Sequence, residues 1–93
     1  MTRRAEAVRL LHEDQTDYQW PNEKLDELLA DPAVREAAED VLLSGFDERD
    51  RFQPEFVYAA CRRRHRRKEA AALLFFLAYR VVETTRTEPG GTA

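Results

Sequence analysis

Cys61 and His65 are the two residues of this chain best spaced for chemistry. Four residues apart, they fall on one face of a helix, and a thiolate beside an imidazole makes a nucleophile with its base. Arg62, Arg63 and Arg64 lie between them, and cationic neighbours favour the thiolate. The pair lacks a third group to orient the imidazole and a donor for a developing oxyanion. A small core-facing Cys beside a surface His in a basic turn accounts for it better. Other candidates fail on a residue each. His12 and Glu13 open like the helical zinc-protease motif, but Thr16 occupies the place of the second His. Asp47, Glu48 and Asp50 suggest a calcium loop until Arg49 and Arg51 are seen where oxygen ligands should stand. One cysteine supports neither a thiolate zinc site nor an internal disulfide. Gly45 is isolated, and Gly90 and Gly91 stand near the C-terminus, so no glycine-rich phosphate loop is formed. Glu39 with Asp40, and Asp14 with Asp17, read as solvated helix faces. Trp20, Tyr58 and Tyr79 read as core or rim residues rather than a base-stacking platform. The expectation is a non-enzymatic chain with no cofactor and no metal.

What stands out is charge. Arg62, Arg63, Arg64, Arg66, Arg67 and Lys68 put six positive charges into seven residues, with His65 among them. Residues 1–50 carry 14 acidic and 6 basic side chains, a net of −8, while residues 51–93 carry 4 acidic and 9 basic, a net of +5. Three readings follow. The halves neutralise one another within a monomer or form solvated patches, the commonest outcome for charge runs. Alternatively, the acidic surface of one copy meets the basic surface of the next, a head-to-tail contact that builds rings or filaments. In the third, the basic cluster grips the phosphate backbone of RNA or DNA, without regard to sequence and with strong salt sensitivity. An overall charge of −3 opposes that third reading away from the cluster. Among functions, the expectation is a protein-interaction or assembly module that pairs with itself or another protein. Its basic side is Arg62, Arg63, Arg64, Arg66, Arg67 and Lys68. Its acidic side is Glu36, Glu39, Asp40, Asp47, Glu48 and Asp50. The second expectation is a nucleic-acid-contacting accessory subunit of a larger complex, using the same basic cluster. The run also matches a nuclear-localisation pattern, which arises by chance too often to weigh.

Helices must position these groups, since no stretch alternates with the period of a strand. Thr2 caps a first helix carrying Ala7, Val8, Leu10 and Leu11. Trp20 before Pro21 ends the polar stretch that follows. Asn22 caps a short second helix with Leu25, Leu28 and Leu29 on one face. A third helix has Asp31 as its cap and Pro32 at its first position, with Val34, Ala37, Ala38, Val41 and Leu42 inward. Gly45 is expected to close it in the left-handed conformation. Residues 47–52 read as a helical turn whose flanking Phe46 and Phe52 plug the core. Pro54 opens the C-terminal half, where Phe56, Val57, Ala59, Ala60 and Cys61 form one apolar block and residues 70–82 another. One continuous helix would carry Arg63, Arg64 and Arg67 onto the core stripe, where unpaired charge is costly. It would also run roughly 48 Å, too long for a compact domain of this size. Two helices with a break near residues 62–66 are expected, although neither Gly nor Pro marks the turn.

The fold expected is all-α, a compact bundle of about five helices, with the apolar C-terminal helix at its centre. Residues 1–86 form the single domain and residues 87–93 a flexible tail. Apolar residues at 43% and charged residues at 35% suit a small soluble domain. The longest apolar run, residues 70–79, is about half the ~20 residues a membrane span needs. A charged N-terminus unlike a secretory signal and a single cysteine point to a cytoplasmic protein without a membrane partner.

Overall fold

The computed structural model describes residues 3–14 and 18–87. Five helices follow in order: α1 (Arg3–Glu13), α2 (Asn22–Leu29), α3 (Pro32–Leu43), α4 (Pro54–Arg64) and α5 (Lys68–Thr87). No strand occurs among the described residues; Phe46 and Phe52 form one isolated antiparallel bridge. The all-α bundle is as expected. α5 packs against each of the other four helices and is its axis.

The sequence explains that centrality. Ala71, Ala72, Leu74, Phe75, Phe76, Leu77, Ala78, Tyr79 and Val81 are all buried. A helix apolar on every side has to be surrounded. Burying each large side chain contributes about 1.5–3 kcal/mol. α1 supplies Ala7, Leu10 and Leu11, α2 Leu25 and Leu29, α3 Ala38 and Val41, and α4 Val57, Ala60 and Cys61. Aromatic rings interlock around Phe75. Its centroid lies 5.1 Å from that of Tyr79 and 5.2 Å from that of Tyr58. Trp20 meets Phe76 edge-on at 5.7 Å, so Trp20 and the two tyrosines are core or rim residues.

Helix ends follow local chemistry. The Asp31 carboxylate accepts the Ala33 N–H at 2.9 Å, and Pro32 opens α3 where its missing N–H costs nothing. At α2 the cap position falls on Pro21, whose carbonyl accepts from Lys24 and Leu25, and Asn22 is the first helical residue instead. The proposed Thr2 cap lies outside the described residues. α5 runs through Thr87, one residue past the expected end of the domain, and the remainder of the tail lies outside the described residues.

Three local expectations are corrected. Gly45 is not left-handed, since no glycine among the described residues has a positive φ. It is needed for contact: a Cβ there would sit 2.6 Å from Val57 Cγ2 and 2.7 Å from Phe52 Cε1. Residues 47–52 form no helical turn. The chain reverses through Asp50 at φ 61°, and the bridge between Phe46 and Phe52 closes the loop. Only Phe52 of that pair joins the core, meeting Tyr79 edge-on at 6.2 Å, while Phe46 stays 44% exposed. The third is the apolar block that opens α4, which is not buried as a unit: Val57, Ala60 and Cys61 turn inward, and Phe56 is left 42% exposed.

Candidate interaction surface

α4 and α5 separate at His65, which takes the extended conformation at φ −133°, ψ 123°. No glycine or proline makes this turn. Continuing the Val57–Cys61 face of α4 beyond Arg64 would carry Lys68 onto the buried stripe, where an unpaired cation is costly. The basic cluster is therefore split across a corner. Arg62, Arg63 and Arg64 end α4, Arg66 and Arg67 lie in the connection, and Lys68 begins α5. Arg62 donates to the Arg66 carbonyl at 3.3 Å, which braces the corner.

Cys61 and His65 are joined through the backbone, the His65 N–H donating to the Cys61 carbonyl at 2.9 Å. The Cys61 side chain is fully enclosed. Burial pushes its thiol up to about 12, outweighing the opposing pull of Arg64. A protonated, enclosed thiol is a poor nucleophile. Among the described residues no three His, Cys, Asp or Glu side chains gather as metal ligands.

Among the described residues the two charged halves of the chain meet locally at Arg51 and Asp47, and over long sequence separations at three further places. Arg64 Nη1 reaches Asp40 Oδ2 at 2.5 Å, joining α4 to α3. Lys68 Nζ lies 3.7 Å from Asp14 Oδ1 and donates to the Asp14 carbonyl at 3.2 Å. Arg80 grips both Asp26 oxygens at 2.7 and 2.8 Å, joining α5 to α2. Asp14 also accepts the Tyr58 hydroxyl proton in a hydrogen bond, so it is no solvated helix-face residue. Asp17, its expected companion, lies outside the described residues. The pairing of Asp14, Asp26 and Arg80 was hidden in sequence because their partners stand 44 to 54 residues away.

Of the acidic candidates, Glu36, Glu39 and Asp40 share α3. Glu39 lies 3.7 Å from Arg35, one turn earlier. Asp47 has another use. Its Oδ1 accepts the N–H groups of Arg49 and Arg51 at 2.9 Å each, and its Oδ2 accepts from Gln53 Nε2 at 3.1 Å. Those donors hold its carboxyl below the usual range, the Arg51 N–H foremost. Asp47 is thus the organiser of its loop, not a surface charge awaiting a partner; Glu48 and Asp50 remain on the loop's outside.

α3 and α4 lie side by side and antiparallel. Gly45 touches Val57 at one end of their seam, and Asp40 pairs with Arg64 at the other. A shallow groove of about 610 Å³ follows α3 there, lined by Ala33, Ala37, Glu36, Asp40, Leu43 and Arg64. Leu43 is 73% exposed, the most exposed large apolar residue described. No protein-family model, curated protein or solved structure matches the chain. No helix among the described residues is long and apolar enough to cross a membrane.

Proposed function

We propose that this chain is a non-enzymatic protein-interaction module that assembles through acidic and basic surfaces. The observation that carries the reading is the seam at Asp40 and Arg64, where an acidic helix face adjoins a basic helix end beside exposed Leu43. Charges of both signs around an apolar patch suit recognition of a protein, with the charges setting register and the apolar residues supplying burial. Internal pairing removes only part of the basic cluster. Among the described residues Arg63, Arg66 and Arg67 have no acidic side chain in ion-pair distance.

That residue of unpaired Arg side chains favours a second reading, a nucleic-acid-contacting subunit using the α4–α5 corner on phosphates. It ranks behind because Arg64 and Lys68 are already held by Asp40 and Asp14, and the acidic α3 face lies alongside. Mass by light scattering tests both, at low and high salt, with and without a mixed-sequence oligonucleotide. The interaction reading expects mass above the monomer's 10.9 kDa without nucleic acid, or on adding a captured protein partner, falling as salt rises. A mass shift that needs the oligonucleotide replaces it with the phosphate reading.

A further inference from the structure

The seam between α3 and α4 is complementary to itself, and we propose that it pairs two copies of this chain about a two-fold axis lying along the seam. The proposal rests on the interaction reading and names its partner.

Two patches of opposite charge are arranged side by side here, on neighbouring antiparallel helices that touch at Asp40 and Arg64. α3 brings Glu36, with Glu39 beside Arg35, and α4 ends in Arg63, while Asp40 and Arg64 pair with each other on the seam between them. A half-turn about an axis along the seam lays α3 of one copy over α4 of the other. Acid then faces base twice, once on each side of the axis. The same rotation leaves each end of the seam facing its own copy. At the Gly45–Val57 end, Leu43, Phe46 and Phe56 all emerge within two residues of that contact, at 73%, 44% and 42% exposure. Apolar therefore meets apolar under the operation that makes charge meet opposite charge.

A head-to-tail contact would need the two charged surfaces on different faces of the molecule, whereas these two adjoin.

The test places a thiol near the axis. Leu43→Cys is treated with a short bismaleimide, and wild-type protein is the control because its one thiol, Cys61, is enclosed. A residue beside a two-fold axis links to itself, so a single dimer band is expected for the variant and none for wild type. Arg63→Glu with Arg64→Glu should weaken the pairing at least about tenfold by light scattering, and adding Glu36→Arg and Glu39→Arg should restore it. Leu43→Asp should return a monomer that keeps its helical circular dichroism, since the side chain is mostly in water within a single copy. A ladder of higher species overturns the two-fold in favour of open head-to-tail growth and keeps the interaction reading. A monomer at millimolar concentration with no cross-link overturns self-pairing, and the interaction reading then stands or falls on a different protein. Mass that rises only with oligonucleotide overturns both.

Discussion

At residue 45 a single methyl group has no room. Val57 Cγ2 and Phe52 Cε1 both lie inside contact distance of where it would be. Gly45→Ala should cost about 1–3 kcal/mol through overpacking, and a urea melt should show a lower midpoint with an unchanged slope. Position 45 was legible from the sequence as a helix stop, but its reason was not. Spacing reveals where a helix ends; it does not reveal which side chain from twelve residues later presses on that end. Cys61 teaches the same lesson in reverse. Its neighbours in sequence are cationic, yet its neighbours in space are apolar, and burial decides its chemistry. Burial raises Tyr58 as well, with its hydrogen bond to the Asp14 carboxylate adding to the shift. Both groups have folded pKa values above their unfolded ones, so the stability they contribute is whole below about pH 8.5. It is lost as the pH climbs through the folded values. Unfolding midpoints should therefore fall steadily above that pH, and Cys61→Ala should make the decline shallower. A flat profile up to pH 11 would show that neither group is buried as described.

Among elements, α5 dominates, and its composition announced it. Nothing else in the chain is apolar on all sides, and such a helix has only one place to go. Phe75→Ala at its middle should cost about 3–5 kcal/mol, because the ring contacts Tyr58 and Tyr79 and has no exposed surface. Phe56→Ala, by contrast, should change monomer stability little, as nearly half of its surface is already in water. Chemical denaturation of the two variants side by side checks the pair. The break at His65 was legible too, because the alternative put arginines in the core. The loop after α3 was not. Charged residues at 47–51 fit a helical turn equally well until Asp47 is seen to gather N–H donors from Arg49 and Arg51. An aspartate that accepts from the backbone two residues on favours a turn over a helix, and that signal was present at Asp47 and Arg49. It was outweighed by the helices on either side.

For the molecule as a whole, the charge split is partly closed on itself and partly left open. Arg64, Lys68 and Arg80 each reach back to the acidic half of the chain, at Asp40, Asp14 and Asp26. Such exposed pairs contribute little stability individually, about 0–1 kcal/mol. Their role is geometric, since each joins a helix from one half to a segment of the other. The sequence made the split visible by counting. It did not reveal that acid and base would be neighbours on one surface, because that depends on α3 and α4 lying antiparallel. The placement of α5 has a temporal side as well. For each of α1, α2, α3 and α4 the helix it packs against most is one made after all of them. A chain that has delivered residues 1–64 has available the packing of α1 on α4, α2 on α3 and α3 on α4, but lacks the helix that all four share. A fragment of those residues should give a coil-like circular dichroism spectrum and bind a hydrophobic dye, and adding a peptide of residues 65–87 should restore helix. The helix delivered last is then the one on which the other four are expected to settle.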